Sequence, residues 1–221
     1  MFIGHFGVAF GTKKATPALS LGLLFIAVQF LDLLWPNLLL LHVEHVAIVP
    51  GITKMAPFDF TDYPISHSLL MAIVWGLLFG GILWLIRKNV RDAVILGLCV
   101  VSHWVLDLFV HRPDLPLYPG NSPKFGFGLW NYPYIEPVIE LAIFFIGLLL
   151  YIRTTAAKNA IGKIGLWVLV LFLLLIQFSD QFTPPATDVM AMAWSAQIMW
   201  VLVLLAFWVD HNRKIKAIAQ A

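Results

Sequence analysis

The chain has 221 residues, of which 61% are hydrophobic and 12% charged, and its formal net charge is +2. Soluble domains carry roughly twice that charged share, so this composition, with a mean hydropathy of +0.88, excludes a soluble globular protein and describes an integral membrane protein. So small a net charge gives no footing for nucleic-acid binding, and a single cysteine, Cys99, excludes both an internal disulfide framework and a thiolate-rich metal site.

The first segment, MFIGHFGVAFGTKK, lacks a basic start and a small-residue cleavage site, so it is expected to belong to the mature chain rather than to a signal peptide. It is apolar but too short to span. Gly4, Gly7 and Gly11 would let it pack closely, which predicts a re-entrant or half-spanning helix carrying His5. Apolar runs long enough for a bilayer, about 20 residues, follow at 17–35, 65–86, 92–111, 133–152 and 189–209, with a shorter one at 161–178. Between them lie PNLLLLHVEHVAIVPG, RKNVRD, HRPDLPLYPGNSPK, RTTAAKNA and SDQFTPPATD, all rich in proline, glycine or charge. No internal repeat is visible. The expected architecture is an all-α, polytopic transmembrane helical bundle of about six membrane helices plus the short N-terminal helix.

Basic residues orient it. Eleven of the 14 lysines and arginines fall on one side of these spans, leaving Lys54, Arg112 and Lys124 on the other. The lysine- and arginine-rich side, with the C-terminus, is expected in the cytoplasm, and the loops 36–64, 112–132 and 179–188 outside.

In SHWVLDLFVHRP, residues 102–113, His103, Asp107 and His111 recur every four positions and so share one narrow stripe of a helix. At about 1.5 Å of rise per residue, Asp32 and Asp107 lie about 22 Å from the basic side and His103 about 16 Å. His67 begins the second span, and Glu136 and Glu140 occupy the outer turns of the fourth, with Pro137 tolerated in a first turn. His42, Glu44, His45, His111 and Asp114 lie in or beside the outer loops. A lone membrane histidine is more often a packing hydrogen-bond partner, and Asp59, Asp62 and Ser68 read as loop or cap residues. Trp35, Trp130, Tyr132 and Tyr134 read as interfacial aromatics. Ionisable groups gathered from four spans in one half of the membrane are costly, each intramembrane Asp by about 2.5–3.5 kcal/mol, and mark a functional site. Neutral imidazole and carboxylate are zinc ligands, and a divalent cation would cancel the carboxylate repulsion. The last two spans contribute almost no ionisable groups, and the cytoplasmic half reads as dry.

At these residues the chain resembles a known family. MFIGHFG, QFLDLLWP, HVEHV, DYPISHSLL, SHWVLDLFVHRPDLPL and FGLWN resemble the membrane-bound metal-dependent hydrolases related to the LexA-regulated YdjM-type inner-membrane proteins. The likeness covers residues 1–155, with 156–221 as two additional C-terminal helices packed on the same bundle. Where the YdjM-type pattern carries an acidic block after its first helix, this chain has FLDLLWP, with HVEH ten residues later. More remotely, the order of ligand-type residues is similar to that of the zinc phospholipase C and S1-P1 nuclease group. His5, Asp32, His45 or His67, His103 with Asp107, His111, and Glu136 with Glu140 follow that order. This likeness implies one to three divalent ions, zinc first and manganese as the alternative, acting on phosphate esters.

The expected function is therefore a metal-dependent hydrolase in the bacterial inner membrane, its site toward the outer face. The metal-ligand candidates are His5, Asp32, His45, His67, His103, Asp107, His111, Glu136 and Glu140. Asp32 doubles as the base orienting the attacking water, with Asp114 or Glu44 as substitutes, and Arg112 pairs with a substrate phosphate. Membrane lipids are the expected partners, and a lipid or lipid-linked phosphoester the expected substrate. The rival is a metal or proton-coupled transporter, which would show polar residues through both membrane halves and broken helices.

Overall fold

Polar residues between apolar runs set the helix ends. In the computed structural model, which describes residues 1–179 and 187–216, the chain starts with a ten-residue helix, α1 (Ile3–Thr12), followed by α2 (Leu21–Val28) and α3 (Phe30–Leu40). Next come a hairpin of β1 (His45–Ile48) and β2 (Phe58–Asp62), a single turn α4 (Pro64–His67), and the long α5 (Leu69–Arg87) and α6 (Val90–Val110). A second small hairpin, β3 (Leu115–Pro116) with β4 (Lys124–Phe125), leads to α7 (Glu136–Thr154), β5 (Thr155–Ala157) and α8 (Ala160–Ser179). Beyond the last loop lie α9 (Val189–Ser195), α10 (Ile198–His211) and β6 (Arg213–Ile215), which pairs antiparallel with β5. Ser20, Ser68 and Asn89 accept an amide at the starts of α2, α5 and α6, as N-caps do. The predicted outer loop at 179–188 lies mostly outside the described residues.

Five helices are long and apolar enough to cross a membrane, and α2 with α3 makes a sixth. The bundle is thus a polytopic helical membrane protein, with lipid-type faces such as Leu77, Ile86 and Leu175 turned outward. Two expectations need correcting. The first span is not continuous: it breaks at Gln29, and α3 leaves α2 at 57°. The apolar run gave no sign of this because no glycine or proline stands at the break. The bundle is also not dry at the Lys13 end. Asp210 of α10 takes Lys13 Nζ at 2.7 Å, the Tyr151 hydroxyl at 2.7 Å and the Leu21 amide at 3.0 Å.

The short α1 is the centre of the bundle, not an edge. Its inward residues Ile3, Phe6, Ala9 and Phe10 are fully buried, and Phe10 meets Phe25, Phe144 and Tyr151 edge-on. Gly7 makes this approach possible: a Cβ there would stand 2.6 Å from the Ile143 carbonyl oxygen of α7. Glu140 of α7 holds the other side of the contact, accepting the Phe2 and Gly4 amides at 3.0 Å. A carboxylate facing the free amides of a helix start is favourable both as a cap and against the helix dipole. At about 15 Å, α1 is too short to cross, and it carries His5 into the interior.

Candidate metal centre

Four segments deliver side chains to one point. Helix α6 turns His103 and Asp107 inward, both buried, and its C-cap supplies His111. The single turn α4 ends on His67, α1 contributes His5, and the first turn of α3, just past the break, contributes Asp32. His103 Nε2 lies 3.1 Å from Asp107 Oδ2 and 3.6 Å from Asp32 Oδ1. His67 Nε2 lies 3.4 Å from Asp32 Oδ1 and 3.9 Å from Asp107 Oδ2. His111 Nε2 stands 4.0 Å from Asp107 Oδ2. On the other carboxylate oxygen, Asp107 Oδ1 faces His5 Nε2 at 3.2 Å and the Met1 amino group at 2.8 Å.

The far side of each imidazole decides what the near side can be. His103 Nδ1 is 2.7 Å from the carbonyl oxygen of Val28, in the last turn of α2, where carbonyls lack helical partners. His111 Nδ1 is 2.9 Å from Asp114 Oδ1, and His67 Nδ1 is 2.7 Å from the Ser66 hydroxyl. A carbonyl and a carboxylate only accept, and the Ser66 proton is itself committed to Glu44 Oε2 at 2.5 Å. All three Nδ1 atoms therefore carry hydrogen. In the neutral ring each Nε2 is then a bare lone pair, directed at carboxylate oxygens. For His103 the result is plain: its Nε2 is buried and has no hydrogen-bond partner.

Lone pairs facing carboxylates repel unless something positive lies between them. A tetrahedral zinc with bonds of about 2.0–2.2 Å sets its ligand atoms about 3.3–3.6 Å apart. The four imidazole-to-carboxylate separations among His67, His103, Asp32 and Asp107 run from 3.1 to 3.9 Å and bracket that spacing. Triads drawn from these residues and His5 are close enough to hold a divalent cation. Two overlapping triads can be drawn, Asp32–His67–His103 and His5–His103–Asp107, both using His103. His5 differs from the other histidines because its bond is made the other way round: Nε2 donates to the acceptor-only Asp107 Oδ1 at 3.2 Å, and the buried Nδ1 has no partner. Its ring instead stacks flat on His103 at 3.9 Å.

Other candidates take other places. His45 is not brought to the cluster: it sits on β1 with a side chain 59% exposed, 3.6 Å from Asp62. Glu44 and Asp114 lie behind histidines rather than facing the centre. Asp114 also accepts from the Tyr63 hydroxyl at 3.2 Å and from Arg112 Nε at 3.1 Å. Burial, then the Asp114 carboxylate, keeps the Tyr63 phenol protonated well above its ordinary range, so it stays a donor. Arg112 is shared between Asp114 and Asp59, which leaves its guanidinium neutralised by two carboxylates. Glu140 is occupied by the start of α1, and Glu136 Oε2 is buried with no partner. Sequence reasoning missed Ser66, Tyr63 and the Val28 carbonyl. Ser66 stands beside His67 in PISHS and could have been suspected; a backbone carbonyl leaves no mark in a sequence.

Access is one-sided. Every imidazole of the cluster is buried, whereas the Asp32 side chain is 26% exposed. Phe60 of β2 packs over His111 at a ring distance of 4.8 Å, with Trp35, Tyr63 and Trp130 around it, so the hairpin roofs that flank.

The family model of the YdjM inner membrane protein matches residues 63–183, more than half of the chain. The match begins at Tyr63 and takes in His67, His103, Asp107 and His111. No curated protein and no solved structure matches the chain.

Proposed function

The chain belongs to the YdjM inner membrane protein family, and on that premise we propose that it is a metal-dependent hydrolase whose site is the His–Asp cluster. One observation carries the reading. Three buried imidazoles have their Nδ1 protons committed elsewhere, and their Nε2 atoms converge on the carboxylates of Asp107 and Asp32. His67, His103, Asp32 and Asp107 would hold the ion, with His111 and His5 at its margins. A divalent ion there supplies Lewis acidity and lowers the pKa of a bound water toward ~7.

Asp32 does the work that remains for a protein group. It is the one partly exposed member, so it meets a water entering the centre and can orient that water and take its proton. The other cluster groups exclude solvent and, together with Asp32, would hold the ion. The proposed substrate is a phosphoester of a lipid or lipid-linked molecule, which diffuses in the plane where the cluster lies. Arg112, half-exposed and already paired with Asp59 and Asp114, would have to give up Asp59 to meet a phosphate. The basic residues at the Lys13 end support a cytoplasmic C-terminus and a site toward the outer face.

The test uses the full chain purified in detergent, with bound zinc and manganese quantified and lipid phosphoesters offered as substrate. Metal at one or more equivalents, lost in His103→Ala, together with phosphate release is the expected result. A metal-free protein with no turnover would reject the reading.

A carrier is the second reading, and one feature favours it. The break at Gln29 interrupts a membrane span beside the cluster, and both polar atoms of the Gln29 side chain are buried without partners. Broken helices with unsatisfied polar groups are where transporters bind cations. Zinc or proton flux in proteoliposomes, without phosphoester cleavage, would select this reading.

A further inference from the structure

We propose that Ser66 and Glu44 are positioning residues that select the metal-binding tautomer of His67; this rests on the metal-holding reading above. Glu44 lies in the outer loop between α3 and β1, yet it is buried and its carboxylate is used completely. Oε1 accepts the Ile65 and Ser66 amides at 2.7 and 2.8 Å, which caps the single turn α4. Oε2 accepts the Ser66 hydroxyl at 2.5 Å.

Proton counting gives the consequence. A serine hydroxyl has one hydrogen and two lone pairs. Its available acceptors are Glu44 Oε2 and, more distantly, the Tyr63 carbonyl at 3.4 Å. Whichever takes the hydrogen, only a lone pair is left for His67 Nδ1 at 2.7 Å. His67 must therefore donate from Nδ1 and present Nε2 unprotonated toward Asp32 and Asp107. Serine alone could point its hydroxyl the other way and donate to the ring. Glu44 removes that choice. The carboxylate thus acts on the centre through a hydroxyl and an imidazole, without touching substrate or ion, and the same interaction ties the β1–β2 hairpin to the cluster.

Outer partners of metal-bound histidines typically contribute 10–100-fold in metal affinity. The experiment uses the full chain in detergent, with ¹⁵N-histidine labelling to read the His67 tautomer in metal-free protein and zinc titration to read affinity. Ser66→Ala removes the hydroxyl and leaves the cap of α4 intact. It should lose the Nδ1–H preference of His67 and weaken zinc about 10–100-fold. Ser66→Thr, which keeps a hydroxyl, should restore both. Glu44→Gln should behave like Ser66→Ala, and Ser66→Ala remains decisive if Glu44→Gln fails to fold. Ser66→Ala binding zinc as tightly as wild type, or Ser66→Thr failing to rescue, overturns the proposal alone. Wild type that takes up no zinc overturns the metal reading, and this proposal with it.

Discussion

Two buried polar networks stand at opposite ends of this bundle, and they differ in how their protons are matched to lone pairs. At the Lys13 end, Asp210 receives an ammonium, a phenol and a backbone amide, while Lys13 also donates to the Leu19 carbonyl at 2.6 Å. Nearby, Arg213 donates to Thr155 and to the Gly162 carbonyl, and Thr16 donates to Asp92. Every donor there has an acceptor. At the His–Asp end, imidazole Nε2 atoms face carboxylate oxygens, and His103 Nε2, 3.1 Å from Asp107 Oδ2, makes no well-formed hydrogen bond. A closed network of this kind holds helices together, whereas an acceptor-rich one suits the cation proposed for it. Burial alone does not tell the two apart; proton accounting does.

The largest effect that would break this contrast is on metal content. Replacing Asp107 by alanine removes the carboxylate that faces His103, His67, His111 and His5. Bound zinc, measured by elemental analysis, should fall to background, because a lost ligand costs more than the ~10–100-fold typical of an outer partner. Retained zinc would mean that the acceptor excess has some other purpose. The converse substitution is Lys13→Met. It should leave zinc binding in place and lower stability by about 3–5 kcal/mol, since it strands the Asp210 carboxylate in the interior. Thermal unfolding checks this, and the double variant Lys13→Met/Asp210→Leu should recover much of the loss. If Lys13→Met instead abolished zinc binding, the two ends would be one coupled system.

A third prediction sharpens the part played by α1. Gly7→Ala places a methyl 2.6 Å from the Ile143 carbonyl oxygen, so α1 must shift away from α7 and carry His5 with it. Overpacking of this kind costs about 1–3 kcal/mol. If His5 sits at the margin of the centre, zinc affinity should change less than stability. A collapse of zinc binding with little change in unfolding would make His5 a principal ligand.

Much of the bundle was legible because lipid forces helices to be written as long apolar runs, and the basic residues between them are unmistakable. The polar stripe His103–Asp107, which folds inward as one buried pair, was legible for the same reason: polar residues four apart in an apolar helix have no cheap explanation. Tertiary facts were not legible. His45 and His67 are both histidines near the outer ends of spans, and only the β1–β2 hairpin decides that the first faces solvent and the second the interior. Glu44 and Asp114 looked like bases because a carboxylate's direction is invisible in a sequence; folded, each stands behind a histidine. The break at Gln29 left no mark because its apolar neighbours are equally compatible with a straight helix. Nothing in the sequence pairs Asp210 with Lys13, 197 positions away.

The smallest predicted effect on zinc concerns the rear of His111. Tyr63 is fully buried, and its hydroxyl donates to the same Asp114 oxygen that takes the His111 Nδ1 hydrogen. Tyr63→Phe deletes that donor while Arg112 still serves Asp114 Oδ2, so the carboxylate keeps its charge compensation. One hydrogen bond to a charged group is worth about 1.5–3 kcal/mol of stability. The effect on zinc should be smaller than that of Ser66→Ala, because His111 stands 4.0 Å from Asp107 Oδ2 and its Nδ1 hydrogen keeps Asp114 as acceptor without Tyr63. The phenol, held protonated by burial and by Asp114, does not titrate in the neutral range, so the difference between Tyr63→Phe and wild type should be flat from pH 6 to 8. Zinc titrations at several pH values check this. A zinc loss in Tyr63→Phe as large as in Ser66→Ala would move His111 from the margin into the shell and shift the centre of the cluster toward the β1–β2 hairpin.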